Sequence, residues 1–260
     1  KMHGLCYRGE GTLPPLLLIH GLSSSAQDLE PLMKMVRGNF QQIVVIDLPG
    51  HGLSFRRDPP PSAIEVRTAV AEAVEYLLDG QALVYGNSLG GYASICLFFD
   101  RPELVGGLVL GSPGGAPMDA AQLGDVLGVF QMRTHREAVA FMHRIVETRS
   151  WMTPLMAQVC LGRLTRPHML PMLEAIGKAK LLSPEDVSKI EAPTVIVWGQ
   201  EERLLPDSSL DFFKEHLPDT AEFDFPERMG HVPHSDRPGY LSRLLQARAE
   251  QWMGSPEPKT

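Results

Sequence analysis

Residues 84–91 read Val84-Tyr85-Gly86-Asn87-Ser88-Leu89-Gly90-Gly91. The centre of this stretch, Gly86-Asn87-Ser88-Leu89-Gly90, has the form G-x-S-x-G. The apolar run Ala82-Leu83-Val84-Tyr85 leads in and predicts a strand; residues 92–99 lead out and predict a helix. A serine on so sharp a strand-to-helix turn is thrust out with its Oγ exposed, and the glycines relieve a backbone too crowded for a Cβ. The pattern is that of a nucleophile elbow and points to a serine hydrolase.

Working outward, short apolar runs recur at 16–19, 43–47, 82–85, 104–110, 194–198 and 221–225. Near-continuous apolar runs suit strands covered on both faces, as in a parallel sheet. Helical patterns lie between them. Ser62 with Glu65 predicts a capping box, and Val66, Ala69, Val70, Ala73, Val74 and Leu77 then share one face. This alternation predicts an α/β fold with a mostly parallel sheet and helices on both faces. It breaks between residues 113 and 184, where helical patterns near 120–132, 136–149, 154–164 and 167–181 replace the strands. Seven of the twelve methionines fall there. The expected organisation is a core of residues 1–112 and 185–260 with a helical cap over 113–184, its methionines either packing the helices or lining a soft apolar wall. A last helix is expected near 238–253 and a loose tail over 254–260.

Composition narrows the function classes. The net charge of −7 comes without a basic block, which disfavours nucleic acid as a partner. Three cysteines, Cys6, Cys96 and Cys160, lie far apart, with neither metal-ligand spacing nor a disulfide framework; Cys96 reads as core, and a reducing cytoplasm is the natural setting. No apolar run approaches the ~20 residues of a membrane span, and the first residues carry no signal-peptide pattern. The expected partner is a small-molecule substrate, with no metal and no cofactor: H-E-x-x-H, a P-loop and G-x-G-x-x-G after a strand are all missing.

A serine hydroxyl needs a base, and the base needs an orienting carboxylate. His231, in Met229-Gly230-His231-Val232-Pro233 after the 221–225 strand, suits the base role. His234 lies beside a helix start and is expected at the surface. His51, without a carboxylate placed to orient it, reads as scaffold at the pocket edge.

Four motifs in order, each after a strand, make the chain resemble the α/β-hydrolase superfamily: His20-Gly21-Leu22, the Asp47–Ser54 turn (D-x-P-G-x-G-x-S), the elbow, and the His231 loop. The resemblance implies backbone oxyanion donors at Leu22 and Leu89, with His20 packed beneath the oxyanion loop. It puts the triad acid four residues after Trp198 and four before Pro206, at Glu202, where the family more often has Asp. Glu201, Asp207 and a carboxylate outside this loop stay open. Serine at position 88 argues against the haloalkane dehalogenase and epoxide hydrolase branches. The reaction implied is hydrolysis of a carboxylic ester with a small apolar acyl or aromatic part. Gly86-Asn87-Ser88 and Gly111-Ser112-Pro113-Gly114-Gly115 resemble the meta-cleavage-product hydrolases, which split C–C bonds, although Val232 stands where those enzymes often have Trp. His20–Leu22 and Asp47–Gly52 resemble a menaquinone-pathway lyase. A third reading is a triad-bearing small-molecule receptor or signalling regulator.

Overall fold

The computed structural model describes residues 1–254. Seven strands form one sheet: β1 (His3–Arg8), β2 (Leu16–Ile19), β3 (Gln42–Asp47), β4 (Ala82–Asn87), β5 (Val105–Gly111), β6 (Thr194–Val197) and β7 (Glu222–Asp224), in the order β1-β3-β2-β4-β5-β6-β7. All neighbours are parallel except β1, which runs antiparallel to β3. Every residue of β2, β3, β4 and β6 is buried, as expected for strands covered on both faces.

Alternate side chains feed two cores. Leu17, Ile19, Val44, Ile46 and Val84 face α2 (Ala63–Leu77), α3 (Leu89–Asp100) and two later helices, α8 (Pro184–Ser188) and α9 (Asp207–His216). Leu16, Leu18, Ile43, Val45 and Tyr85 face α1 (Glu30–Val36) and the final helix, α11 (Pro238–Met253). β2, β3, β4 and β6 are thus covered on both faces, at about 1.5–3 kcal/mol of hydrophobic stabilisation per large buried side chain. The Ser62–Glu65 capping box opens α2 as expected. The part of the 254–260 tail beyond Gly254 lies outside the described residues.

Between β5 and α8 the chain makes α4 (Ala120–Gly128), α5 (His135–Ile145), α6 (Thr153–Leu164) and α7 (Met169–Gly177), with a 3₁₀ turn at Val129–Gln131. These helices share a third core of Phe130, Phe141, Met142, Ala157, Leu164 and Leu173. The helix expected over 136–149 ends at Ile145. The Glu147 and Thr148 N–H groups donate to the Asp236 carboxylate at 3.1 and 2.7 Å, so they are lost to the helix ladder. Asp236 belongs to a short helix, α10 (Pro233–Asp236).

The winding reverses at β2: β3 lies on one side of it and β4 on the other. A reversal of this kind opens a crevice at the carboxyl ends of the strands.

Candidate active site

Ser88 follows β4 directly, in a backbone conformation (φ 54°, ψ −116°) that L-residues rarely adopt. The turn is held by hydrogen bonds from Ser88 N to Gly111 O and from Gly114 N to Ser88 O, each 2.9 Å. A Cβ on Gly86 would collide with Gly90 O and Ser94 Oγ, and one on Gly90 with the Ile19 and His20 carbonyls. Glycine is therefore the residue type that lets the elbow close against β2. The strain at Ser88 is what a strand-to-helix reversal in so few residues requires.

Leu22 follows β2 and Leu89 is the first residue of α3. Neither N–H donates to another backbone group among the described residues, and both residues border the same cavity as Ser88. His20 is fully buried below this loop, with Nδ1 2.7 Å from Gly21 O and Nε2 accepting from Leu48 N at 3.1 Å. Burial lowers its basicity.

His231 and Glu202, on the loops after β7 and β6, meet: His231 Nδ1 lies 2.8 Å from Glu202 Oε2, and both side chains are buried. The other carboxylate oxygen, Oε1, accepts from the Leu204 and Leu205 N–H groups at 2.7 and 3.1 Å. The loop therefore orients the acid before it meets the histidine. Burial alone would raise the Glu202 carboxyl. The facing His231, with the backbone donor at Leu204, outweighs burial and lowers it to about 2. The carboxylate is charged throughout the neutral range and can only accept, so a neutral His231 ring facing it carries its proton on Nδ1 and has Nε2 as its acceptor atom. Of the other acids weighed, Glu201 is occupied by Met229 N (2.8 Å), and Asp207 begins α9.

Sequence reasoning missed two further residues. Asn87 Nδ2 donates to His231 O at 2.8 Å and to Gly111 O at 2.9 Å, tying the histidine loop to the elbow. Asp236 accepts from Gly230 N at 2.8 Å as well as from residues 147 and 148, so one carboxylate holds the histidine loop to the helical layer. Asn87 lies inside the motif and was legible in principle. Asp236 gains its role from contacts up to 89 residues away.

His234 corrects an expectation. It is buried, with Nδ1 3.0 Å from the Tyr85 hydroxyl, and burial lowers its pKa to about 4. Position beside a helix start suggested the surface; the α10 turn instead packs over β4. His51 is buried too, its Nδ1 3.1 Å from Pro49 O, and it borders the cavity as a neutral ring lowered to about 3 by burial and neighbouring His20.

An apolar cavity of about 210 Å³ opens beside Ser88. Its walls come from α3 (Tyr92, Cys96), the α4 end of the helical layer (Val126, Phe130) and α7 (Met172, Ile176). Two of the seven methionines of this region, Met118 and Met172, border it; Met132, Met142 and Met169 belong to the layer's own core. Of the four Lys and Arg at its wall, three are ion-paired: Arg67 lies 2.6 Å from Asp100, Arg57 2.8 Å from Glu65 and Lys180 3.9 Å from Asp186; Arg56 contacts the Gly52 carbonyl and no carboxylate. Among the described residues, no group of three or more His, Cys, Asp or Glu could hold a metal ion.

The strained elbow, the crevice and the sheet order define an α/β hydrolase. The chain belongs to the Alpha/beta hydrolase family, whose pattern it matches over residues 16–244. A curated relative, the 2-hydroxy-6-oxononadienedioate/2-hydroxy-6-oxononatrienedioate hydrolase of Paraburkholderia phymatum, is 26% identical over 246 residues, 88% of this chain and 85% of the relative. The 2-hydroxy-6-oxo-6-phenylhexa-2,4-dienoate hydrolase of Rhodococcus sp. strain RHA1 superposes with a TM-score of 0.80 at 20% identity, covering 95% of this chain and 93% of that one. An N-acyl homoserine lactone degrading enzyme gives a TM-score of 0.76 at 23% identity over 95% of this chain and 96% of its own. At these identities the two structural likenesses speak for the fold.

Proposed function

We propose that the protein is a serine hydrolase acting on carboxylic esters with a small apolar acyl or aromatic part, with Ser88 as nucleophile, His231 as general base and Glu202 as the orienting acid. The observation that carries this reading is the Glu202 carboxylate itself, pinned by two backbone N–H groups on one oxygen and 2.8 Å from His231 Nδ1 on the other. Ser88 Oγ attacks the ester carbonyl as His231 Nε2 takes its proton. The oxyanion rests on the Leu22 and Leu89 N–H groups, each worth about 3 kcal/mol of transition-state stabilisation. His231 then gives the proton to the leaving alcohol, and water, activated by the same imidazole, releases the acid and restores Ser88. No cofactor enters the cycle.

In this proposal residues 113–184 are a cap that roofs the substrate cavity. Its separate apolar core and the contribution of Val126, Phe130 and Met172 to the cavity wall support that role. The apolar wall favours an acyl or aromatic group. With Arg57, Arg67 and Lys180 paired, Arg56 is left as one cation for a carboxylate, where a dienedioate has two.

A second reading, hydrolysis of a C–C bond in a vinylogous diketone, is favoured by the curated relative named for such a substrate. Steady-state kinetics on p-nitrophenyl esters, run beside a 2-hydroxy-6-oxo-dienoate ring-fission product, separates the two. The ester reading expects multiple turnover of the esters and at least a hundredfold lower kcat/KM on the dienoate; the reverse ranking overturns it. A single burst followed by silence with both would instead mark a receptor.

A further inference from the structure

The outer face of α6 is apolar, where a surface helix ordinarily presents charge. Thr153, Ala157, Cys160 and Leu164 turn inward. On the opposite face Leu155 is 58% exposed, Met156 41% and Val159 50%, and Trp151, just ahead of the helix, is 89% exposed. Trp151, Leu155 and Val159 follow at intervals of four and form one stripe. The helix has a single charged side chain, Arg163, which leaves this face to pair with Asp28 at 2.5 Å.

Basic residues rim the stripe. Arg149 precedes it and Arg166 follows it. Arg133 and Arg136 flank His135, whose Nδ1 lies 3.1 Å from Gln158 Oε1 on α6. All four arginines are exposed, and none is in an ion pair among the described residues. The nearby Glu137 is engaged in capping α5, accepting from the Arg133 and Thr134 N–H groups. Residues 113–184 hold eight Lys and Arg against five Asp and Glu, a net charge of +3, in a chain whose total is −7.

We propose that this face docks the protein on an anionic lipid surface. Trp151, Leu155 and Val159 enter the headgroup boundary, and the arginines pair with lipid phosphates. An exposed apolar stripe with a tryptophan, edged by unpaired arginines, matches what an anionic bilayer offers a peripheral helix. A second copy of the chain is the poorer occupant, because a two-fold contact on this face brings its arginines against one another. Among the described residues, no helix is long and apolar enough to cross a membrane, so the contact lies on the surface. This inference stands apart from the ester reading, since it concerns the outside of the helical layer.

The test uses the full chain with vesicles of phosphatidylglycerol and phosphatidylcholine, and of phosphatidylcholine alone. Expected are co-sedimentation with the anionic vesicles, a blue shift of tryptophan emission, and release at about 0.5 M NaCl, where surface charge is screened. Leu155→Ser/Val159→Ser and Arg136→Gln/Arg149→Gln each lower anionic-vesicle binding by about tenfold or more, with melting temperature and far-ultraviolet circular dichroism unchanged. The proposal is overturned if the wild type does not bind anionic vesicles, or if both double variants bind as it does. It is also overturned if sedimentation equilibrium finds a dimer that Leu155→Ser/Val159→Ser dissolves.

Discussion

The strand ends of the sheet and the helical layer above them meet at one cavity but are held in different ways. At the strand ends the loops are held through polar pairs: Glu202 has two backbone donors and His231, Asn87 holds the His231 carbonyl, and Gly111 receives Ser88 N. The layer packs its side chains in a core of its own, and Asp236 ties it to the histidine loop. Hydrogen-bonded backbone fixes chemistry to within tenths of an ångström; apolar packing tolerates volume-conserving exchange. In the proposed function, turnover therefore belongs to the strand ends and selectivity to the layer.

The largest effects are expected at the strand ends. Ser88→Ala and His231→Ala are each expected to cut kcat on a p-nitrophenyl ester by about 10⁴-fold or more, with the far-ultraviolet circular dichroism unchanged. Retention of wild-type rates by either variant would sink the assignment. Glu202→Gln leaves a neutral partner that no longer enforces the tautomer and is expected to lower kcat by about 10³- to 10⁴-fold, whereas Glu202→Asp retains part of the rate. A loss below tenfold for the glutamine variant would mean that another carboxylate orients His231.

Substitutions in the layer should act on choice rather than on rate. Val126→Trp narrows the cavity, and kcat/KM for a hexanoate ester is expected to fall about tenfold or more while the acetate ester changes little. Equal losses on both esters would place Val126 outside the acyl path. A smaller effect concerns pH. Because the folded Glu202 is lowered to about 2, its charge contributes stability that is fully present above the ordinary carboxylate range and is lost as pH falls from there towards about 2. Glu202→Gln should flatten the urea midpoint over that acidic interval, and an unchanged acid profile would contradict the pairing.

Much of the strand-end region was readable from the sequence, because strands buried on both faces write themselves as continuous apolar runs and the elbow requires glycine at 86 and 90. What escaped was local structure too short to be periodic, or function conferred from a distance. β1 is a half-exposed edge strand without clean alternation; α1, α8 and α10 span seven, five and four residues. The hydrogen-bond partner of the buried His234 is Tyr85, 149 positions away. In the layer the helices were legible but their ends were not, since Asp236 terminates α5 from outside. Which methionines border the cavity depends on helix rotation, which spacing alone does not determine; Met118 and Met172 border it, while Met156 faces solvent.

The proposed function stands on Ser88 as a nucleophile activated through His231 and Glu202. A stoichiometric organophosphate, diethyl p-nitrophenyl phosphate, tests it most directly, with the labelled peptide located by mass spectrometry. Expected are one adduct per chain on Ser88, release of one p-nitrophenolate, complete loss of ester turnover, and labelling slowed in Glu202→Gln. Label on another residue, or turnover that persists after stoichiometric labelling of Ser88, would contradict it.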